Sequence, residues 1–132
     1  MIVEVTSFTK VIKGATVLDD VQCSFQSGKI YGLQGKNGSG KTMLLRAVSG
    51  LIFPTSGHVS VDGMILGEDI SFPDSMGLLI ENSSFVGKYS GMKNLKLLAK
   101  LKGRIGDDEI ADSLSRVGLN PNDRRAYKKY SL

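Results

Sequence analysis

Tryptophan is missing from this chain, cysteine and histidine occur once each, and only three prolines are spread over 132 residues. Each scarcity removes a class of protein. The lone cysteine, Cys23, excludes an internal disulfide and with it the small disulfide-stapled secreted scaffolds; it fits a reducing cytoplasm. With His58 as the one histidine, the soft ligands for a metal cluster are lacking too. Long apolar runs are also absent: stretches such as Met76–Ile80 fall far short of the roughly 20 residues that cross a bilayer. The N-terminus alternates charged and β-branched residues and does not read as a signal peptide. There is no internal repeat and no low-complexity tract.

What remains is the composition of one ordinary folded domain, 41% hydrophobic and 23% charged, large enough to bury a core. Charge is unevenly placed. Residues 1–87 carry 6 basic and 8 acidic side chains, net −2; residues 88–132 carry 11 basic and 5 acidic, net +6, which sums to the +4 of the whole. Two regions facing different partners are expected from that asymmetry.

Ile2–Phe8 and Val21–Gln26 alternate apolar and polar residues as half-buried strands do, placing Cys23 beside Val21 and Phe25 as a core thiol. Lys29–Leu33 reads as a short strand leading into a glycine-rich loop. Thr42–Ser49 is apolar nearly all round, which predicts a buried helix closed by Gly50. Val59 and Val61 run into Asp62-Gly63, a hairpin turn returning through Met64–Leu66. Met76–Ile80 reads as a fully covered strand. Beyond Gly87 the period becomes helical. Met92–Lys102 sets Lys93, Lys96 and Lys100 on one stripe with leucines opposite. A second helix is predicted over Asp108–Val117, N-capped by Asp107, facing inward with Ile110, Leu114 and Val117.

The glycine loop carries the chemistry. Gly35-Lys36-Asn37-Gly38-Ser39-Gly40-Lys41-Thr42 matches G-x-x-x-x-G-K-[ST], the phosphate-binding loop. Glycines let successive backbone N–H groups point at one anion, and the following helix aims its positive end there. Lys41 reaches the β- and γ-phosphates, and the Thr42 hydroxyl holds Mg²⁺. By chance alone such a motif arises in a chain this long at about one in a few hundred. The loop by itself does not choose among GTPases, kinases and transport ATPases.

The flanks do. "TVLDDVQCSFQSGKIYGLQGKNGSGKTMLLRAVSGLIFPTSGHVSVDG" closely resembles the opening of ABC-type ATPase domains, with Gly50-Leu51, Pro54, Ser56-Gly57 and Asp62-Gly63 where that pattern places them. "GLLIENSSFVGKYSGMKNLKLLAKLKG" resembles the segment that follows, which couples the nucleotide site to a membrane partner. The resemblance runs from about Val3 to Leu132. It implies an α/β fold: a partial P-loop core with an antiparallel β-subdomain over 1–87, then the start of an α-helical subdomain over 88–132. It implies ATP and Mg²⁺ as ligands. Gly35 to Thr42, Met43, Val17 and Ile12 line the nucleotide, and Thr42 and Glu81 serve the metal. Transmembrane transporter subunits and a second ATPase domain are the implied partners, at the cytoplasmic face of the membrane.

Four departures from the pattern carry expectations of their own. Ile12 stands where the family places an aromatic that stacks on adenine, so a stacking contribution of about 1–3 kcal/mol is lost. GTP is then expected to bind within about tenfold of ATP. Met43 replaces the usual hydroxyl residue after Thr42. Glu81 replaces the usual coupling-loop glutamine, as in ATP-binding subunits that resemble peptide-antibiotic (lantibiotic-type) and drug exporters. Finally, Tyr130-Ser131-Leu132 matches only the first residues of the family's signature segment. The expectation is the front part of an ATPase domain that binds Mg-nucleotide without turning it over, lacking the signature, the Walker B carboxylate and the switch histidine. His58 reads as a surface residue and not that switch.

The basic stretch Lys88, Lys93, Lys96, Lys100, Lys102 and Arg104 has no acid between its members, and Arg124, Arg125, Lys128 and Lys129 follow. A solvated helix face and docking near a membrane-embedded partner are the two readings that suit it. Nucleic acid is disfavoured, because no aromatic residues interleave with Lys93–Arg104. Two rival functions stay open at this point: a naturally short, non-hydrolytic nucleotide-binding or regulatory module, and a small P-loop kinase. The kinase fits poorly with the "SGHVSVDG" hairpin.

Overall fold

The computed structural model describes residues 1–81 and 85–130. The chain divides into two compact units, Met1–Glu81 and Asn82–Leu132.

The first unit is built on a four-stranded antiparallel sheet in the order β2-β1-β3-β4. Its strands are β1 (Ile2–Ile12), β2 (Ala15–Gln26), β3 (Ser56–Val61) and β4 (Met64–Ile65). β1 and β2 are longer than the alternation predicts. Pairing carries them up to a two-residue turn, Lys13-Gly14, with Ile12 opposite Ala15. Both turn residues have positive φ, 48° and 80°, the conformation that matches the twist of a tight hairpin and that glycine adopts without penalty. The expected Asp62-Gly63 turn joins β3 to β4, and the Asp62 carboxylate also accepts the Ile2 N–H at 2.6 Å.

Packed against the sheet is α1 (Lys41–Val48). Val5, Phe8, Leu18, Ala47, Val59, Val61 and Leu66 form the buried core, with Phe8 wholly enclosed. Cys23 packs on this core, and burial pushes its thiol above the ordinary range. His58 sits in β3 opposite Thr6, half-buried.

Three expectations fail here, the two strands for one physical reason. Lys29–Leu33 and Met76–Ile80 form no strand, and α1 is not buried all round: Leu45 stays exposed while Met43, Leu44 and Val48 are half-buried. A strand exists only when a neighbour accepts its ladder. Among the described residues neither segment finds one, and Ile30 and Leu79 stand in solvent.

The second unit pairs α2 (Gly91–Lys102) with α3 (Asp107–Arg116), followed by a short 3₁₀ turn over Tyr127–Lys129. Ser90 caps α2 through its hydroxyl, which accepts the Lys93 N–H. The cap of α3 is Gly106, not Asp107; the Glu109 carboxylate accepts the Gly106 N–H, and Asp107 becomes the first helical residue. Ile110 and Leu114 are buried as the spacing predicts, but Val117 is exposed beyond the helix end.

The most buried residue of α2 is polar. Asn94 donates through Nδ2 to the carbonyls of Val86, Tyr89 and Ser90 at 3.1–3.3 Å, and its Oδ1 accepts the Val86 N–H at 2.7 Å. One side chain thus fixes the whole turn Val86–Ser90. Backbone N–H groups of Tyr127 and Lys128 donate to the carbonyls of Tyr89 and Gly87, fastening the C-terminal segment to that turn. The Arg125 guanidinium grips Asp123 with both carboxylate oxygens and holds that carboxyl below its usual range. Of the expected signature opening, Tyr130 belongs to this unit; Ser131 and Leu132 lie outside the described residues.

Candidate functional site

The site grows from the junction of the glycine loop with α1. Gly40 precedes the helix at φ 87°, in the left-handed region, with no side chain capping the first turn. A Cβ at Gly40 would stand 2.9 Å from both the Val17 carbonyl and the Leu18 side chain, so only glycine allows the loop to lie this close to β2. The first turn of α1 contains no acidic residue. Its free N–H groups and helix dipole therefore present a positive end to the loop cavity.

Lys41 curls back over that end. Its ammonium donates to the Gly35 carbonyl at 2.7 Å and to the Lys36 carbonyl at 2.8 Å. These bonds close the loop around its own lysine and hold the charge beside the N–H cluster. Ser39 N–H donates to the Lys36 carbonyl at 3.2 Å, which tightens the same turn.

Around the loop lies a cavity of about 490 Å³, lined by Thr16, Val17, Asn37, Gly38, Ser39, Gly40, Lys41, Thr42 and Met43. Gly35 and Lys36 join it through the Lys41 bonds and not as lining. Ile12 is not in the lining; it stands at the end of β1, beside the hairpin turn. Thr16 is, and nothing in the motif pointed to it. The signal was its place immediately before Val17 on the strand that Gly40 touches.

Glu81 does not reach the cavity either. It adopts φ 64°, unusual for a residue with a side chain, and its carboxylate stands 3.9 Å from the Arg46 guanidinium. Arg46 follows Thr42 by four residues on α1, which puts it on the same helical face about 6 Å further along. Glu81 thus meets the end of the Arg46 side chain and not Thr42 itself. No group of three or more His, Cys, Asp or Glu residues suited to a metal occurs among the described residues.

With this geometry in hand, comparison with known proteins places the chain. Residues 18–132 match the ABC transporter family. The chain is 52% identical over 130 residues to the uncharacterised ABC transporter ATP-binding protein YybJ of Bacillus subtilis (strain 168), covering 98% of this chain and 60% of that protein. It is 35% identical to the bacitracin transport ATP-binding protein BcrA of Enterococcus faecalis, covering 99% of this chain and 43% of that one. It is 31% identical to the lantibiotic transport ATP-binding protein SrtF of Streptococcus pyogenes, covering 89% and 50%. The chain therefore spans less than two thirds of the length of these relatives. Among solved structures, it superposes on a dimeric post-hydrolysis state of the ATP-binding cassette MJ0796 bound to ADP and phosphate with a TM-score of 0.80 at 19% identity. That match covers 98% of this chain and 63% of the other, and shows a shared fold. A glycine loop closed by its lysine, the antiparallel sheet beside it and a family match over most of the length agree: this chain belongs to the ABC transporter family and carries part of the α/β fold of its ATPase domain.

Proposed function

We propose that the loop from Gly35 to Thr42 binds the phosphates of ATP with Mg²⁺, and that the chain serves an ATP-binding subunit that powers transport through separate membrane subunits. One observation carries this reading: the uncapped positive end of α1 with the Lys41 ammonium fastened beside it. A polyphosphate satisfies both at once, through backbone N–H donors and one point charge. Thr16 and Val17 extend the cavity away from the loop and take the nucleoside side. Weak selectivity between ATP and GTP follows, since an aliphatic and a hydroxyl residue offer no ring to stack on a base.

The residues also fit Mg²⁺. That ion takes one or two protein oxygens and leaves its remaining positions to phosphate and water, so the Thr42 hydroxyl in the cavity would hold it, and the Glu81 carboxylate, outside the lining and beside Arg46, would join only by leaving that pair. When bound, Mg²⁺ neutralises charge on the β- and γ-phosphate oxygens. The protein's own part is positional: Lys41 and the N–H cluster orient the phosphates, and Gly40 keeps the loop against β2.

Bacitracin and lantibiotic transport, named for two relatives, make export of peptide antibiotics the preferred role. We place the subunit at the cytoplasmic face of the membrane, working as one of two paired ATPase domains. The described part of the fold holds the nucleotide's phosphates. Calorimetric titration of MgATP into the chain and into Lys41→Ala tests the core of the reading, with circular dichroism as the control for folding. Binding weakened at least thirtyfold by the substitution is expected. Equal binding by both folded proteins would remove the loop from the site.

A further inference from the structure

We infer that Thr16 is the residue through which this chain reads the sugar of its nucleotide: its hydroxyl hydrogen-bonds the ribose hydroxyls, so the site prefers ribonucleotides to deoxyribonucleotides. The inference rests on the nucleotide reading above and adds a sugar specificity to it. A β-bulge carries the argument. Lys10 of β1 faces Leu18 of β2, and the next residue, Val11, faces Thr16, so Val17 is one residue more than the pairing needs. In a regular strand Thr16 and Val17 would turn to opposite faces. A bulge bends the strand and re-aims its side chains. Both residues accordingly border the loop cavity, and the Val17 carbonyl lies so near Gly40 that a Cβ there would stand 2.9 Å from it. The glycine loop thus rests on the bulge itself. Thr16 is the neighbouring residue, about 3.3 Å along the strand. That step leads from the groups that hold phosphate to the part of the ligand joined to it, which is the sugar before it is the base.

Side-chain chemistry then selects Thr16. Outside the motif from Gly35 to Thr42, the cavity is lined by Thr16, Val17 and Met43. Valine has no polar side-chain atom, and the methionine thioether is only a weak acceptor. A threonine hydroxyl both donates and accepts, as a ribose hydroxyl does. Other threonine hydroxyls around this hairpin are already committed: Thr9 accepts the Asp20 N–H and Thr55 the Val11 N–H, each at 3.0 Å. Thr16 is exposed, and its hydroxyl has no hydrogen-bond partner among the described residues. Reading the sugar also agrees with weak selectivity between ATP and GTP, which share that sugar.

Calorimetric titrations with the Mg²⁺ complexes of ATP, GTP, 2′-deoxy-ATP, 3′-deoxy-ATP and inorganic tripolyphosphate test it, on the unchanged chain, Thr16→Val and Thr16→Ser. Thr16→Val keeps the β-branched shape and removes only the hydroxyl. It should weaken ATP and GTP alike by about three- to tenfold, the worth of one neutral hydrogen bond. Thr16→Ser should restore the affinity of the unchanged chain. At least one deoxynucleotide should bind the unchanged chain more weakly by a similar factor and be indifferent to Thr16→Val. Tripolyphosphate, which has no sugar, should bind all three chains equally and lose that binding on Lys41→Ala. Equal ATP affinity with and without the Thr16 hydroxyl, while tripolyphosphate binding holds, would overturn the inference and leave the phosphate reading standing. A loss on Thr16→Val equal for ATP and both deoxynucleotides would overturn it too, since the hydroxyl would then serve another part of the ligand. So would a loss for ATP that GTP does not share, which would assign the hydroxyl to the base. If neither ATP nor tripolyphosphate binds in a Lys41-dependent way, the phosphate reading falls, and this inference with it.

Discussion

The two units of this chain hold themselves together by opposite means. In Met1–Glu81 the centre is apolar: Phe8 is enclosed by Val5, Leu18, Val59 and Val61, and the sheet satisfies its own backbone. In the second unit the most buried position of α2 is an asparagine, and the turn beside it is fixed by that side chain's hydrogen bonds. An apolar centre tolerates loose surroundings because its attraction has no direction. A buried amide does not, because each bond it loses leaves a partner stranded. The first unit accordingly builds a cavity from backbone, and the second builds a charged, partly apolar surface on a polar hinge.

The comparison breaks most visibly at Phe8. Phe8→Ala should cost the first unit about 3–5 kcal/mol, since a large enclosed side chain is replaced by a void. Urea denaturation followed by tyrosine-independent far-ultraviolet dichroism measures the loss, and amide exchange should accelerate in β1, β2 and β3. Asn94→Leu is nearly isosteric and adds apolar surface, yet it should cost about 2–4 kcal/mol by stranding the Val86 N–H and three carbonyls. Its exchange signature falls on Val86–Lys93. A neutral or stabilising Asn94→Leu would show that the second unit also rests on apolar packing.

Gly40→Ala sharpens the contrast within the first unit. It combines left-handed strain of about 1–2 kcal/mol with a clash against the Val17 carbonyl and Leu18. Gly14→Ala isolates the strain, because its φ of 80° is similar and nothing lies within 4 Å of the added carbon. Thermal melts should show the Gly40 variant the less stable of the two. Only the Gly40 variant should lose MgATP affinity, by at least tenfold, because only there does the loop move.

These residues also show what was legible in sequence and what was not. The phosphate loop, the Asp62-Gly63 hairpin, the burial of Ile110 and Leu114 on α3 and the Cys23 position follow from spacing and turn chemistry, which are local. Lys29–Leu33 and Met76–Ile80 read as strands and form none, because apolar runs record a tendency to be covered, and a ladder also needs a neighbour. Ile12 lies outside the cavity lining because Lys13-Gly14 turns the chain just after it, a turn that its spacing from Val17 does not reveal. Thr16 was missed because a threonine on a strand carries no signal of its own. Asn94 was missed because helical periodicity marks apolar faces, and a polar residue that replaces backbone partners is invisible to it.

The smallest expected effect lies at Glu81, where the first unit has its own polar contact. The pair with Arg46 is exposed and loose at 3.9 Å, so it should contribute well under about 1 kcal/mol to stability. Its consequence is for the metal. On the proposed reading, Arg46 and a divalent ion held by Thr42 would compete for the same carboxylate. Removing Arg46 should therefore release Glu81, and Arg46→Gln should lower the Mg²⁺ concentration needed for half-maximal nucleotide binding by about two- to fivefold. Glu81→Gln should raise that concentration while leaving binding in EDTA unchanged. In the double variant the Arg46 effect should shrink to what plain charge repulsion leaves. Fluorescent-nucleotide titrations against Mg²⁺ read all three. If Arg46→Gln shifts the midpoint equally with and without Glu81, the arginine merely repels the ion, and Glu81 is no part of the site.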